Sequence, residues 1–140
     1  MIKQISVFVE NRKGRLSNVL ETLKNGNINI YALHVADTTA YGIIRLIVDR
    51  PEKAQTALVG DGFTVAITNV LAVAMDDEVG ALCDIVKTMK DAEVSVEYIY
   101  AFAGRKGTNP AVVIIKPEDM EFAETVLKNA GFKLLAIEEI

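Results

Sequence analysis

The chain has 140 residues, of which 51% are hydrophobic, and a formal net charge of -4. This apolar content excludes an intrinsically disordered chain and suffices for a hydrophobic core. The sequence pI near 5.0 argues against nucleic acid as the main partner, because phosphate binding requires a basic surface.

The amino-terminal stretch MIKQISVFVE lacks the order of basic, apolar and small residues that marks a signal peptide. No apolar run approaches the roughly 18 residues of a membrane-spanning helix. We therefore expect a cytoplasmic protein without a membrane partner. The single cysteine, Cys83, falls in a helical apolar pattern and is expected to be a small buried side chain.

The first half of the sequence predicts strand, helix, strand, strand, helix, strand. In KQISVFVE, apolar and polar residues alternate, which is typical of a strand with one buried face. The segment LSNVLETLK has apolar residues at helical spacing and stops at NGN. INIYALHVA and GIIRLIVD have strand-like composition, and FTVAIT follows GDG as a fourth strand. The second helix, PEKAQTALV, starts with a proline suited to a first helical turn.

The second half repeats this order. The two halves align when one is shifted by 66 residues, so that Gly14 meets Gly80 and Pro51 meets Pro117. The predicted helices of the second half are ALCDIVKTMKDA and EDMEFAETVLKNAG. Its predicted strands are LAVAMD, VSVEYIYAF, PAVVIIKP and KLLAIEEI. Between PAVVIIKP and the strand before it, the stretch AGRKGTN at residues 103–109 is expected to be a flexible hairpin tip.

Each half thus has the order β-α-β-β-α-β, the ferredoxin-like arrangement. We predict an α+β protein of two repeats, residues 1–69 and 70–140, each a four-stranded antiparallel sheet with two helices on one face. Because roughly 70 residues bury little surface alone, we expect the repeats to pack against each other. FTVAIT leads into LAVAMD with only Thr68-Asn69 as a break, so the sequence also permits a strand that crosses from one repeat into the other.

The first strand-helix turn carries the main candidate site. In VENRKGRLSNVLETL, one glycine stands among Arg12, Lys13 and Arg15, directly before a helix. A helix start has unpaired amide N–H groups and a partial positive charge, which favour a carboxylate. Gly14 would let an anion approach the backbone, and Asn11 offers an oxygen acceptor for an ammonium group. Taken alone, such a glycine is more often only a turn residue.

These residues carry a resemblance to a known family. A βαββαβ unit with NRKGRL at the first turn and NINI entering the second strand resembles the ACT domain, a regulatory module that binds amino acids. ENRKGRL also resembles the turn in the serine-sensing regulatory domain of phosphoglycerate dehydrogenase. The resemblance covers the whole chain, once per repeat, and implies a binding protein with no enzymatic activity.

The resemblance further implies a ligand held between the turn of one domain and the second strand of its neighbour. The implied ligand-binding residues of the first repeat are Asn11, Arg12, Lys13, Gly14, Arg15, Leu16, Asn29, Ile30 and Tyr31. A candidate second site has the matching residues Asp77, Glu78, Val79, Gly80, Ala81, Leu82 and Ser95. The acidic residues at the rim of this second site would repel a carboxylate, so we expect one working site per interface, at the basic turn.

The sequence gives little support for catalysis or for cofactor binding. There is no H-E-x-x-H, C-x-x-C or G-x-S-x-G pattern, so we expect no catalytic residues, no metal and no cofactor. The only histidine, His34, lies in a predicted strand and is interpreted as a sheet-face or interface residue. The predicted third strands lack the aromatic residues of an RNA-binding domain of this fold.

The sequence therefore predicts an allosteric, amino-acid-binding regulatory protein. Signalling would pass through its own assembly or through a partner enzyme of amino-acid metabolism. The alternative is a structural or regulatory subunit that binds no ligand and acts only through protein contacts. Apolar residues on the outer sheet face, Phe8, Ala72 and Ala74, suggest an assembly, for which a homodimer is the simplest form.

Overall fold

The computed structural model describes residues 1–10, 12–37, 40–104 and 110–140, with the backbone alone at Asp37. Asn11, Thr38, Thr39 and residues 105–109 lie outside the described residues. The expectation for Asn11 as a ligand residue, and that for residues 105–109 of the hairpin tip, therefore fall on residues that are not described.

The described residues form an α+β fold. Its strands are β1 (Ile2–Glu10), β2 (Ile30–Asp37), β3 (Tyr41–Val48), β4 (Thr64–Met75), β5 (Val96–Ala103) and β6 (Ala111–Pro117). Its helices are α1 (Arg15–Asn25), α2 (Pro51–Gly60), α3 (Ala81–Asp91) and α4 (Met120–Asn129), with a final 3-10 helix at Ile137–Glu139. The strands form one six-stranded sheet in the order β2-β3-β1-β4-β6-β5. None of the helices in the described ranges has the length and apolar content needed to cross a membrane.

The number of strands differs from the eight that the repeat predicts. FTVAIT and LAVAMD form the single 12-residue strand Thr64–Met75, so a strand does cross from one repeat into the other. The expected last strand, KLLAIEEI, makes only an isolated bridge between Leu134 and Val73 before it turns into the 3-10 helix Ile137–Glu139. The second repeat therefore lacks a full fourth strand, since its last residues pair with their own neighbours instead of with the sheet.

The chain divides into two compact units. One of them is Lys3–Thr68. Within it, β3 pairs antiparallel with both β1 and β2, and α1 and α2 bury their apolar sides against this sheet. Its core includes the fully buried residues Ile5, Val7, Val19, Leu23, Leu46 and Leu58.

The other unit combines Met1–Ile2 with Asn69–Ile140. Here β6 pairs antiparallel with β4 and with β5, and α3 and α4 supply the helical layer. The buried core of this unit comprises Leu71, Val73, Ile85, Met89, Val113, Ile115, Ala123 and Leu127. Both cores follow the helical and strand periodicities of the sequence.

Two expectations about side-chain burial are corrected. Cys83 is exposed, because it lies two residues before the buried Ile85 and so points to the other side of α3. Ala72 is only 1% exposed, so its apolar character requires no second molecule to explain it. Phe8, in contrast, is exposed as expected.

Candidate ligand site at the strand-helix turns

Helix α1 begins at a glycine in the left-handed backbone conformation. Gly14 has φ 83° and ψ -5°, which side chains of L-residues rarely adopt. Its carbonyl accepts a hydrogen bond from the Asn18 amide at 2.9 Å. A Cβ at Gly14 would meet no heavy atom within 4 Å. The backbone conformation therefore favours glycine, and the space beside it is open.

The first amides of α1 have no side-chain cap among the described residues. In α4, by comparison, the Asp119 carboxylate accepts a hydrogen bond from the Phe122 amide at 3.0 Å. Uncapped amides at a helix start, together with the helix dipole, favour an anionic group. The turn before α1 can therefore receive a carboxylate from a ligand.

The three basic residues of this turn differ in their surroundings. Arg12 forms an exposed ion pair with Glu10, with 2.9 Å from Nε to Oε2. Lys13 is exposed. Arg15 is half-buried and lies over the Phe63 ring, with its Cζ 4.7 Å from the ring centroid, a cation–π contact. Its Nε is buried and has no hydrogen-bond partner within the described part of the chain, so this donor is unsatisfied.

A groove of about 290 Å³ adjoins Arg15. Its lining is polar except for one ring, and comprises Arg15, Asn18, Glu21, Thr22, Asn25, Asp61 and Phe63. The Thr22 hydroxyl donates to Asp61 Oδ2 at 2.6 Å, which fixes that carboxylate. One guanidinium and two carboxylates in the same groove match a ligand that carries both an acid and an amine.

The second-strand residues lie at the other end of α1. Asn29, Ile30 and Tyr31 follow the carboxyl end of this 11-residue helix, whose length is about 16 Å. The Asn29 amide donates to Asp49 Oδ1 at 3.0 Å. Asn29 and Ile30 line a separate groove of about 510 Å³. Within the first repeat, the structure thus does not bring Asn29 to the turn at Gly14.

The turn before α3 has the same backbone as the turn before α1. Gly80 has φ 91° and ψ -9°, and its carbonyl accepts from the Asp84 amide at 3.0 Å. A Cβ at Gly80 would also meet nothing within 4 Å. The two turns are therefore equivalent in backbone geometry.

The side chains around the second turn are acidic and apolar. A cavity of about 200 Å³ is lined by Ala74, Met75, Asp76, Glu78, Val79, Ala81, Asp84, Ile85 and Phe132. Ala81 occupies the position of Arg15, so this lining contains no cation. Asp77 and Leu82 are exposed outside the lining. Ser95 lies past the other end of α3, where its carbonyl accepts from the Glu118 amide at 3.0 Å.

The sequence analysis missed the aromatic residue beside each turn. Phe63 lies under Arg15, and Phe132 lines the second cavity. Each follows a glycine with φ 88°, Gly62 and Gly131. The matched Gly-Phe pairs near the ends of the two repeats are the signal that points to them. Among the described residues, no cluster of histidine, cysteine and acidic side chains could hold a metal ion.

The sequence model of the ACT domain pair family matches residues 1–139. The chain therefore belongs to this family, whose two-domain unit is a regulatory module. Among solved structures, the chain is similar to protein BT0572 from Bacteroides thetaiotaomicron, with 39% sequence identity and a TM-score of 0.90. That alignment covers 99% of this chain and 94% of the other.

The fold is also similar to that of aspartate kinase regulatory subunits. The subunit from Thermus thermophilus aligns with a TM-score of 0.62, 13% identity and coverage of 91% of this chain and 89% of that one. The subunit from Thermus flavus gives a TM-score of 0.61, 15% identity and 91% coverage of both chains. At these identities the similarity concerns the fold alone. No curated protein matches the chain.

Proposed function

We propose that this chain is a cytoplasmic regulatory protein that binds a free amino acid and has no catalytic activity of its own. Its two ACT domains would be residues 1–69 and 70–140. The observation that carries this proposal is the turn at Gly14, where an uncapped helix start, open space and a half-buried arginine occur together. The ACT domain pair assignment and the regulatory subunits of similar fold support it.

The ligand's two charged groups find matching groups at this turn. Its carboxylate would accept hydrogen bonds from the first amides of α1 and from the guanidinium of Arg15. Its ammonium would meet the carboxylates of Glu21 and Asp61 in the adjoining groove. Because the second turn has acidic groups and no counterpart of Arg15, we propose that it does not bind a carboxylate with comparable affinity.

A second copy of the chain would complete the site. Asn29 and its neighbours lie about 16 Å from Gly14 along α1, so within the repeat they are too far away to contact the same small ligand. Strand β2, which Ile30 opens, lies at the edge of the sheet. Leu33 and Val35 on this strand are 39% and 46% exposed, which favours a homodimer that covers them. We propose that Asn29, Ile30 and Tyr31 of one copy face the turn of the other.

Regulation would follow from linkage. A ligand that contacts two domains at once stabilises one relative arrangement of them, and a partner that recognises this arrangement then responds to the amino acid. The partner would be an enzyme of amino-acid metabolism or the assembly itself. The coupling is reciprocal, so the partner would also tighten ligand binding.

A thermal-shift panel of the free amino acids tests the proposal. A ligand at about 100 times its Kd stabilises the folded protein by about 2.7 kcal/mol. Gly14→Val and Gly80→Val form a matched pair, because both glycines have a positive φ and open surroundings. We expect both variants to lose similar stability and only Gly14→Val to lose the ligand shift.

The alternative is a subunit that binds no ligand and acts through protein contacts alone. The exposed apolar residues Leu33 and Val35 on an edge strand favour this reading as well. If no amino acid raises the melting temperature of the wild-type chain, this alternative replaces the sensor. If Gly14→Val keeps the ligand shift, the chain is a sensor but its site lies elsewhere.

A further inference from the structure

The groove beside Arg15 carries more negative than positive charge. Among the described residues that line it, the charged side chains are the guanidinium of Arg15 and the carboxylates of Glu21 and Asp61. The other polar side chains of this lining belong to asparagine and threonine residues, which are neutral. An amino acid with a neutral side chain offers one carboxylate and one ammonium group. One of the two groove carboxylates would then remain without a cation.

Asp61 is held at a defined position along helix α1. Its Oδ2 atom lies 2.6 Å from the Thr22 hydroxyl, which also lies 3.1 Å from the carbonyl oxygen of Asn18 in the preceding helical turn. Thr22 lies about 9 Å farther along the helix axis than Leu16, whose amide is among the first of α1. The Asp61 carboxylate is thus well separated from the helix start.

The two ammonium groups of a basic amino acid differ in how far they reach from the carboxylate. In an extended chain the α-ammonium nitrogen lies about 2.5 Å from the carboxylate carbon, and the side-chain nitrogen of lysine lies about 7.5 Å from it. A hydrogen bond adds about 2.8 Å to each distance. The α-ammonium therefore reaches acceptors within about one helical turn of the carboxylate, whereas the side-chain nitrogen reaches the distance of Asp61.

We propose that the amino acid bound at the Gly14 turn has a cationic side chain, an assignment that rests on the proposed function. The carboxylate of this ligand lies at the helix start beside Arg15, and its side-chain cation binds Asp61. Glu21 is exposed and its side chain tilts towards the amino end of α1, so its carboxylate reaches back to the α-ammonium. Lysine, ornithine and arginine carry these three charges, and each charge then has a partner in the groove.

The same three charges of the groove disfavour other amino acids. An acidic amino acid would bring a second carboxylate to a groove that already has two, and like charges repel. Norleucine has the same carbon chain as lysine and lacks only the side-chain ammonium. It would therefore leave Asp61 without a cation, and the comparison of lysine with norleucine isolates this one interaction.

Calorimetric titration of the full chain with lysine, ornithine, arginine, norleucine and glutamate tests the ligand class. We expect the tightest of the three basic amino acids to bind at least about tenfold more tightly than norleucine, the loss typical of a missing charged hydrogen bond. If norleucine or glutamate binds as tightly, the ligand class is not basic, although the chain remains an amino-acid sensor. If no amino acid binds at all, the proposed function and its basic ligand both fail.

Asp61→Asn tests the residue that receives the side-chain cation. Asparagine removes the charge and keeps an oxygen that accepts from the Thr22 hydroxyl. We expect the Kd of the basic ligand to rise by a factor of about 5–10 and that of norleucine to change less than about twofold. Glu118→Gln, at an exposed position that does not line the groove, is the control for the loss of one negative charge. An unchanged Kd for the basic ligand in Asp61→Asn, or an equal rise in Glu118→Gln, would exclude Asp61 as its partner.

Discussion

The turns before α1 and α3 have the same backbone and different side chains. Gly14 and Gly80 have φ of 83° and 91°, and each carbonyl accepts the first hydrogen bond of its helix at 2.9 and 3.0 Å. At the next position, the first turn has Arg15 over the Phe63 ring. The second has Ala81, which leaves a cavity against Phe132.

This difference shows that fold and ligand preference depend on separate residues. Both repeats have the same turn backbone, in which a glycine with positive φ precedes the helix. The charge that a ligand meets is determined by the residue after the glycine and by the acidic or basic neighbours. A repeated turn can therefore keep its structure while its binding chemistry changes, and substitutions can address the two separately.

The largest expected effect comes from the equivalent core residues of α1 and α3. Leu23 and Met89 are both buried and lie at the same position of the repeat. Leu23→Ala and Met89→Ala should each lower the free energy of unfolding by about 2–5 kcal/mol, from lost burial and the cavity left behind. Chemical denaturation measures this loss. Leu16→Ala, at an exposed position, is the control, and a comparable loss there would contradict this account.

The second prediction concerns the residue that follows the glycine of each turn, Arg15 in the first and Ala81 in the second. Arg15→Ala removes a charged hydrogen-bond donor, which typically contributes about 1.5–3 kcal/mol, so the Kd for the amino acid should rise by a factor of about 10–100. Calorimetric titration gives the Kd directly. Ala81→Arg makes the second turn resemble the first and should leave the Kd of the first site unchanged. An unchanged Kd in Arg15→Ala would exclude this arginine from the site.

The third prediction concerns what the two glycines share. Gly14→Ala and Gly80→Ala should each cost about 1–2 kcal/mol of unfolding free energy, because alanine disfavours a left-handed backbone. The two losses should agree, since neither new Cβ meets a neighbour. Gly60→Ala is the matched control, because its surroundings are open as well and it ends helix α2 without a positive φ. Denaturation curves that differ strongly between Gly14→Ala and Gly80→Ala would contradict the equivalence of the turns.

A smaller effect is expected at the opposite ends of the same helices. Asn27 and Glu93 follow α1 and α3 at equivalent positions with φ of 53° and 58°. Glu93→Gly should raise the free energy of unfolding by about 0.5–1 kcal/mol, because it relieves a left-handed conformation at the cost of some chain entropy. Asn27→Gly should gain less, since asparagine tolerates this conformation. Thermal melts that show a larger gain at Asn27 would reverse this ranking.

The smallest effect concerns the segment in which the second repeat departs from the first. The backbone amide of Ala136 donates to the Glu139 carboxylate at 2.9 Å, and this bond, followed by the interaction with Lys133, lowers the pKa of Glu139 from its usual value. Because the pKa of Glu139 is lower in the folded than in the unfolded state, its ionisation stabilises the folded protein at pH values above the unfolded-state pKa. This contribution is lost as the pH falls through the folded-state pKa. Glu139→Gln should therefore melt slightly earlier than wild type at pH 7, with the difference vanishing in acid. A difference independent of pH would contradict this, and Glu138→Gln controls for the loss of one charge.

The repeated sequence was sufficient to predict the four helices and the two turns before α1 and α3. These features depend on local periodicity and on residues next to each other in the chain. The sequence did not decide whether FTVAIT and LAVAMD form one strand or two, because the two residues between them permit both a break and a continuous strand. The last strand was predicted wrongly, since the composition of KLLAIEEI does not show whether a neighbouring strand is available for pairing.

At the site, the sequence by itself determined that a glycine with basic neighbours precedes α1 and that an acidic counterpart precedes α3. Only the tertiary structure decided that Arg15 lies over Phe63. The physical reason is distance along the chain: residues one helical turn apart are placed by the helix, whereas residues dozens apart meet only where the strands and helices pack.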